Sequence, residues 1–368
     1  MSRAPIMIMA GGTGGHIYPA LAIARALSAC SQPVIWLGTP SGMESRVVPK
    51  AGFDIEPINI SGLRGRGLVG WLMAPFRLSL AVWQSWSAMR RHRPRLAIGL
   101  GGFVSGPGGI AARLAGVPLV IHEQNAIAGL TNRWLSRWAQ AVLQGFDRAF
   151  AAKTGAVTVG NPVRADILAI DSPALRYAER KGPLHLLVIG GSQGALALNK
   201  HMADALALFD DSERPLVRHQ AGSATLAEAQ DSYARTGVRA EVTPFIEDMA
   251  AAYAWADLVV CRAGALTIAE LCSVGLPALL VPFPLAVDDH QTANAQALVD
   301  AGAALIQQQV DIDAPTLHAK LVALGTERDA LLSRANKART LRKDNTVQAV
   351  LAHFGALLDD PSFGGVSS

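Results

Sequence analysis

The sequence contains few cysteines and few aromatic residues. Three of its 368 residues are cysteines (Cys30, Cys261 and Cys272), and 6% are aromatic. The spacing of the cysteines matches no metal-ligand motif, and their sparse, odd number argues against a disulfide framework and for a reducing compartment. With half of all residues hydrophobic, the composition is typical of an α/β protein rich in Ala, Leu and Val, and the length suffices for two domains.

Signals for export or membrane insertion are also missing. The opening segment Met1–Pro5 leads directly into an apolar stretch, which leaves no room for a signal peptide. The stretch 68–86 is apolar enough to resemble a membrane span, but Pro75 and Arg77 interrupt it near its middle. We therefore expect the body of the protein to be cytosolic.

Negative charge is scarce in the first half of the chain. Residues 1–160 contain 16 Lys and Arg but 5 Asp and Glu, a net charge of +11, whereas the remainder contains 17 and 24, a net charge of −7. Such a basic half favours nucleic acid, an anionic membrane surface or an anionic substrate as partner. A solvated charged face is the alternative.

The two halves of the chain begin in the same way. Ile6–Ala10 is a short apolar run followed by the glycine-rich turn Gly11–His16, and Leu184–Ile189 is followed by the turn Gly190–Ala195. Each run predicts a buried parallel strand that leads through the turn into a helix. The start of such a helix offers free N–H groups and a positive dipole end to an anion. We therefore expect two nucleotide-binding-type domains with phosphate chemistry between them.

Further apolar runs alternate with helical patterns, which predicts an α/β protein with parallel, doubly wound sheets. The predicted strands are 6–10, 33–39, 96–101, 118–122, 141–146 and 156–159, then 184–189, 215–219, 239–245, 257–261, 277–281 and 303–306. Asn161–Pro162 disfavours helix and marks a linker. The predicted segments are a domain at 1–160, the linker at 161–164, a domain at 165–342, a C-terminal helix at 343–358 and a disordered tail at 359–368.

Three glycine-rich turns follow predicted strands, where ligands bind in open α/β sheets. The third is Gly99–Gly109. Gly11–His16 is not a dinucleotide fingerprint, because Ile17 occupies the position of the third glycine, and no Gly-Lys-Ser/Thr follows to make a P-loop. Gly190–Ala195 fails both tests as well. Close packing of strand on helix is the alternative for any one of these turns.

Another turn, Cys261–Gly264, also precedes a predicted helix. The N–H groups of Ala265–Thr267 can hold a diphosphate without a metal, and Glu270 can accept hydrogen bonds from two ribose hydroxyls. The alternative is a capping pattern in which Thr267 and Glu270 only stabilise the helix start. Farther along, the adjacent acids Asp288–Asp289 are weak grounds for a metal site and favour a solvated turn.

Together these motifs resemble the MurG family, the N-acetylglucosaminyltransferases of glycosyltransferase family 28 that complete the lipid-linked disaccharide precursor of peptidoglycan. The matching segments are Gly11–His16, Ser61–Gly65, Gly101–Gly109, His122–Asn125, Gly160–Arg164, Gly190–Ala195 and Arg262–Glu270. The resemblance implies a GT-B fold, in which two Rossmann-like domains face a deep cleft and the C-terminal helix returns to the first domain.

The resemblance also implies the reaction and its partners. UDP-GlcNAc is the expected donor and undecaprenyl-pyrophosphoryl-MurNAc-pentapeptide (lipid I) the expected acceptor, and inverting transfer to the MurNAc C4 hydroxyl gives lipid II. No cofactor is required, although a divalent cation can stimulate turnover. We expect peripheral binding to an anionic membrane surface, at the cytoplasmic face of the inner membrane, and no nucleic acid. Cell-wall synthesis and division proteins are further candidate partners.

Donor binding is expected mainly in the second half. By the resemblance, Ser192 and Ala265–Thr267 hold the diphosphate, Glu270 holds the ribose, and the backbone near Ile246 holds the uracil. Arg164 lies near the nucleotide, and Gln291 contacts the GlcNAc hydroxyls. The full donor set is Thr13, Gly14, Gly15, Asn125, Arg164, Ser192, Ile246, Ala265, Leu266, Thr267, Ile268, Ala269, Glu270 and Gln291.

The acceptor is expected in the first half. Backbone N–H groups of Thr13–Gly15 and of the turn containing Gly102, Ser105 and Gly106 are available to its pyrophosphate. Inversion needs a base on this side, and His16 is the predicted base because an imidazole pKa of about 6.5 suits proton transfer at neutral pH. Glu123 is the competing base, and a structural hydrogen bond is the alternative role for His16. Asn125 can orient a sugar hydroxyl.

Trp71, Trp83 and Trp86 lie near Arg90 and Arg91, which predicts an interfacial membrane patch. A buried interdomain or core helix is the alternative.

Two rival functions also stay open. A UDP-sugar epimerase of the same fold leaves Ser61–Gly65 without a role, and a nonenzymatic binder of anionic membranes or nucleic acid leaves the second half unused.

Overall fold

The computed structural model describes residues 3–60, 73–178, 180–191, 194–325 and 327–364. The chain divides into two compact units, Met1–Pro162 with Asp344–Ser368, and Val163–Lys343. The boundary falls inside the segment 161–164, and the C-terminal segment belongs to the first unit.

The first unit contains a parallel sheet of seven strands in the order β3-β2-β1-β4-β5-β6-β7. Its strands are β1 Ile6–Met9, β2 Val34–Gly38, β3 Asp54–Pro57, β4 Leu96–Gly99, β5 Leu119–Glu123, β6 Ala141–Gln144 and β7 Val157–Thr158. The sequence pattern misses β3, because Asp54 and Glu56 interrupt the apolar run of this edge strand.

The second unit contains a parallel sheet of six strands in the order β10-β9-β8-β11-β12-β13. Its strands are β8 His185–Ile189, β9 Leu216–Gln220, β10 Ala240–Thr243, β11 Leu258–Cys261, β12 Ala278–Leu280 and β13 Ala304–Ile306. All six coincide with predicted runs, and the predicted α/β fold of two doubly wound parallel sheets is confirmed.

Helices follow most strands. Those of the first unit are Gly14–Ala29, Glu44–Lys50, Ala74–His92, Ser105–Ala115, Leu130–Leu135 and Thr346–Leu358, with short 3-10 helices at Ala152–Thr154 and Pro361–Gly364. Those of the second unit are Ala165–Leu168, Pro173–Ala178, Leu196–Ala207, Leu226–Thr236, Met249–Trp255, Ala265–Val274, His290–Asp300, Ala314–Leu324 and Arg328–Arg339, with 3-10 helices at Val287–Asp289 and Gln309–Asp311.

The strand register brings the glycine turns of each unit together. In the first sheet Met9 pairs with Gly99, and Gly99 pairs with Ile121. In the second sheet Ile189 pairs with both Gln220 and Cys261. Because parallel strands end at the same edge of a sheet, the turns after β1, β4 and β5 are neighbours, as are those after β8, β9 and β11.

The C-terminal segment corrects one prediction. The helix Thr346–Leu358 buries Val350, Leu351 and Phe354 in the core of the first unit. The chain beyond it continues to Pro361–Gly364, where Phe363 packs edge-on against Phe354 with ring centroids 6.2 Å apart. The prediction of a disordered tail from residue 359 is therefore wrong for 359–364, and residues 365–368 lie outside the described part of the chain.

Candidate active site

Two glycine turns of the first unit lie against each other. At Gly102, where φ is +78°, a Cβ atom would stand 2.1 Å from the carbonyl oxygen of Gly11. The buried carboxylate of Glu44 stabilises the first of these turns. It accepts hydrogen bonds from the N–H of Gly12 at 3.0 Å and from the hydroxyl of Thr39 at 2.6 Å. Burial raises the pKa of Glu44, but these bonds outweigh it and hold the pKa below its usual value. The carboxylate thus fixes the shape of the first turn.

The helix Gly14–Ala29 begins directly at this turn. Its N-cap residue, Thr13, makes no side-chain capping bond, so the N–H groups of Gly14 and Gly15 have no partner within the helix. These N–H groups are available to an anion, and the anion site expected from the sequence stays a prediction. The neighbouring helix Ser105–Ala115 also begins without a side-chain cap.

The Ser105 side chain is occupied within the first unit. The residue is fully buried, and its hydroxyl binds the carbonyl oxygens of Met9 at 2.9 Å and Gly101 at 2.8 Å. It therefore ties β1 to the second glycine turn, and the predicted role of its backbone N–H in acceptor binding stays a prediction. Gly102 and Gly106 keep partial exposure.

His16 is partly exposed and packs against Gly101, where a Cβ atom would stand 2.7 Å from the imidazole ring. Its Nδ1 atom lies 2.9 Å from Oε1 of Gln124, in the segment after β5. The first glycine turn, the second turn and the segment His122–Asn125 therefore meet at this imidazole.

Both carboxylate oxygens of Glu123, the competing base, already accept hydrogen bonds. Its Oε1 atom accepts from the backbone N–H and the side-chain amide of Asn125, at 3.0 and 3.2 Å. Its Oε2 atom accepts from Gly129 N–H at 3.1 Å and from Asn132 at 2.9 Å. The residue is 3% exposed, so the geometry favours His16 over Glu123 as a base. Asn125 is engaged by the same carboxylate.

In the second unit, the helix Ala265–Val274 begins at Gly264 without a side-chain cap. The capping alternative is wrong for Glu270, because its Oε2 accepts a hydrogen bond from the Tyr253 hydroxyl at 2.9 Å. Burial raises the pKa of Glu270, partly offset by that bond and by the charge of Arg164. The structure thus brings Glu270, Tyr253 and Arg164 together. The Nε atom of Arg164 also lies 3.8 Å from Oδ1 of Asp166.

Ile268 belongs to the predicted donor set. It is 1% exposed, and its N–H donates to the carbonyl of Gly264 at 2.9 Å, so its part in donor binding stays a prediction. The preceding helix-start residues, Ala265, Leu266 and Thr267, provide the N–H groups that lack partners within the helix.

The Gln291 side chain links the segments that follow β11 and β12. Its Oε1 accepts from the N–H groups of Ala263 at 3.2 Å and Phe283 at 2.9 Å, which leaves its NH₂ group for a sugar hydroxyl. Asp288 and Asp289 form an exposed turn with φ of +54° and +50°. Within the described residues, no group of three or more His, Cys, Asp and Glu is placed to hold a metal ion.

Gln220 contacts two segments of the predicted donor site, and the sequence pattern does not reveal it. This buried side chain donates to the carbonyl of Gly191 at 3.0 Å and accepts from the N–H of Ile246 at 3.0 Å. The N–H of Ile246 is therefore occupied within the unit, and uracil binding by the backbone at Ile246 stays a prediction. Ser192 lies outside the described residues.

The helix Ala74–His92 has one apolar face in solvent. Phe76 is 65% and Trp83 60% exposed, while Ala81, Ser85, Ala88 and Met89 are buried on the other side. This helix packs against the helix Ser105–Ala115. A groove of about 580 Å³ runs along the two helices, and its lining is Leu78, Ser79, Val82, Trp83, Trp86, Ile110 and Leu114. The alternative of a fully buried helix is therefore wrong.

The charges beside this face are not equivalent. The guanidinium of Arg90 stacks 5.2 Å from the Trp86 ring and stays exposed. Arg91 pairs with Glu56 at 2.7 Å, so it is not the free cation expected from the sequence. Trp71 lies outside the described residues, and none of the described helices is long and apolar enough to cross a bilayer.

Two doubly wound parallel-sheet units, each with a helix start that lacks a side-chain cap, match the fold of the GT-B glycosyltransferases. The models of the N-terminal and C-terminal domains of glycosyltransferase family 28 match residues 6–144 and 185–350. The crystal structure of Acinetobacter baumannii MurG superposes with a TM-score of 0.82 at 40% identity, over 97% of this chain and 99% of that one.

Relatives of known name agree with this class. The UDP-N-acetylglucosamine--N-acetylmuramyl-(pentapeptide) pyrophosphoryl-undecaprenol N-acetylglucosamine transferase of Alkalilimnicola ehrlichii is 52% identical, over 94% of this chain and 97% of its own. The transferase of the same name from Chromohalobacter salexigens is 53% identical, over 94% and 95%. The chain therefore belongs to glycosyltransferase family 28 and, within it, to the MurG family. These names favour the transferase over the epimerase.

Proposed function

We propose that the protein transfers GlcNAc from UDP-GlcNAc to the C4 hydroxyl of MurNAc in undecaprenyl-pyrophosphoryl-MurNAc-pentapeptide, with inversion at the anomeric carbon. The observation that carries the proposal is the 52% identity, over 94% of the chain, to a relative whose name specifies GlcNAc transfer to this lipid-linked acceptor. The uncapped helix starts at Gly14 and Ala265 support it, because each offers N–H groups to a phosphate.

In the proposed donor site, the helix start at Ala265–Thr267 holds the diphosphate and Glu270 accepts hydrogen bonds from the ribose. Arg164 adds positive charge, and the amide NH₂ of Gln291 donates to the sugar. UDP gains negative charge as it leaves, so fixed N–H donors and a positive helix end stabilise the transition state more than the ground state. The mechanism needs no metal, although a divalent cation can stimulate it.

In the proposed chemical step, the acceptor C4 oxygen attacks the anomeric carbon from the face opposite UDP. The bond from that carbon to the diphosphate oxygen breaks, and the hydroxyl proton passes to His16. The acceptor pyrophosphate binds the N–H groups of Gly14, Gly15, Gly102 and Gly106.

We also propose that the face formed by Phe76, Trp83 and Leu114, with Arg90 beside it, lies on the anionic cytoplasmic surface of the membrane. Its exposed aromatic and aliphatic side chains suit the depth of lipid headgroups, and an exposed arginine suits anionic lipid. Peripheral binding there brings the enzyme to a lipid-anchored acceptor.

An assay of released UDP tests this function against its rivals. Purified protein is incubated with UDP-GlcNAc, with and without the lipid acceptor, and the nucleotide products are separated. We expect free UDP only when acceptor is present. An epimerised UDP-sugar without acceptor would indicate the epimerase, and the absence of any product would indicate the nonenzymatic binder.

A further inference from the structure

A chain of hydrogen bonds leads from His16 into the core of the first unit. Gln124 contacts Nδ1 of His16 through its Oε1 at 2.9 Å, and its Nε2 lies 3.0 Å from Nδ1 of His122. Nε2 of His122 in turn lies 2.9 Å from the carbonyl oxygen of Gly160. Gln124 is 1% exposed and His122 is fully buried, so solvent does not compete for the bonds at the inner end of the chain.

The inner end of the chain fixes where each proton lies. The Gly160 carbonyl can only accept, so Nε2 of His122 must carry a proton and donate to it. Burial lowers the pKa of His122, and a neutral imidazole then has an unprotonated Nδ1. That atom must accept, and it accepts from the amide NH₂ of Gln124.

A second contact fixes the orientation of the Gln124 amide independently. Its Nε2 also donates to the backbone carbonyl of His122 at 3.1 Å. With the amide reversed, its oxygen would face both this carbonyl oxygen and the Nδ1 lone pair. The oxygen of Gln124 therefore points at His16.

We infer that Gln124 is a positioning residue that holds the proton of neutral His16 on Nδ1 and so leaves the Nε2 lone pair as the base. This inference rests on the proposed role of His16. An amide oxygen can only accept, so the Nδ1 atom that faces it must donate. The same bond orients the ring throughout the reaction, because Nδ1 still carries its proton when Nε2 is protonated.

The linker side of the unit secures this arrangement. The side chain of Asn161 donates to the backbone carbonyl of Gln124 at 2.9 Å. Gly160 and Asn161 therefore hold the histidine and the glutamine from one segment. This explains how two motifs far apart in the sequence serve one imidazole.

The direct test is the tautomer of His16 in the intact protein. Histidine labelled with ¹⁵N is followed by NMR above the pKa of the ring, and the His16 signals are identified by their loss in His16→Ala. We expect Nδ1 to be the protonated nitrogen of His16. Protonation on Nε2 in the wild-type protein would overturn the inference without any need for a glutamine variant.

Kinetics of Gln124→Met supply the second test. The variant removes both amide groups at similar volume, so we expect kcat to fall roughly 10- to 100-fold, less than on loss of the base itself, with KM for UDP-GlcNAc unchanged. The His16 tautomer should become mixed. Gln144→Met is the matched control, since Gln144 is also a buried amide of this unit, bonded to Thr158 and Phe150 away from His16.

The outcomes separate this inference from the proposed function. If His16→Ala turns over at the wild-type rate, His16 is not the base, whatever the tautomer. If His16→Ala is inactive while folded Gln124→Met keeps wild-type kcat and the Nδ1-protonated tautomer, the base stands and the role of Gln124 is overturned. Equal losses of kcat in Gln124→Met and Gln144→Met would also overturn it, because they would reduce the effect to general destabilisation.

Discussion

At the scale of single residues, the roles of polar side chains depend on which of their atoms are already occupied. Glu123 and His16 are both plausible bases by residue type, yet the oxygens of Glu123 accept bonds from Asn125, Gly129 and Asn132. Among the described residues His16 has one such contact, at Nδ1, so its other ring nitrogen is available to a substrate.

Replacing His16 with Ala tests this distinction. We expect kcat to fall about 10²–10⁴-fold, the usual range for a positioned general base, with UDP binding nearly unchanged, because most of the predicted donor residues lie on the second unit. His353→Ala, at a partly exposed histidine of the same unit, should keep full turnover. A near-normal rate for His16→Ala combined with a large loss for Glu123→Gln would make Glu123 the base.

Glu270 offers a second test at this scale. Glu270→Ala removes the proposed ribose acceptor and should weaken UDP binding by roughly 1–3 kcal/mol, measured by calorimetry. Glu213→Ala, at an exposed acid of the same unit, should bind UDP normally. Unchanged affinity in a folded Glu270→Ala protein would refute the assignment.

At the scale of structural elements, the two glycine turns of the first unit depend on close backbone approach. Gly102→Ala places a Cβ atom 2.1 Å from the Gly11 carbonyl oxygen, whereas at Gly116, with φ of +70°, nothing lies within 4 Å. We expect Gly116→Ala to lower the free energy of unfolding by about 1–2 kcal/mol through backbone strain.

Gly102→Ala should lower the free energy of unfolding by about 1–3 kcal/mol more than Gly116→Ala does, because the steric clash adds to the backbone strain. Urea unfolding measures both variants. Equal losses would show that the two turns are not held in contact.

The sequence predicts elements better than it predicts the contacts between them. Twelve strands are found from apolar runs, because buried parallel strands carry few polar residues. The edge strand β3 escapes because half its residues are acidic. The contacts of Glu44, Gln124 and Gln220 could not be predicted in this way. Their hydrogen-bond partners are distant in the sequence, and some of them are backbone groups, so no local sequence pattern indicates these pairs.

At the scale of the whole molecule, the exposed apolar face on the helix Ala74–His92 has a proposed task. Phe76→Ser with Trp83→Ser should reduce flotation with anionic liposomes at least about tenfold, because two large apolar side chains no longer enter the interface. The control pair Leu175→Ser and Val310→Ser changes exposed residues of the second unit. Equal flotation of both double variants and the wild type would show that this face does not bind the membrane.

The central claim is GlcNAc transfer to a lipid-linked MurNAc acceptor, and the structure of the product tests it most directly. Radiolabelled UDP-GlcNAc is incubated with the protein and the lipid acceptor, and the extracted lipid product is examined by mass spectrometry and NMR. We predict one added GlcNAc, joined to C4 of MurNAc in a β linkage. Label that stays in the aqueous phase, or an α linkage in the product, would contradict the account.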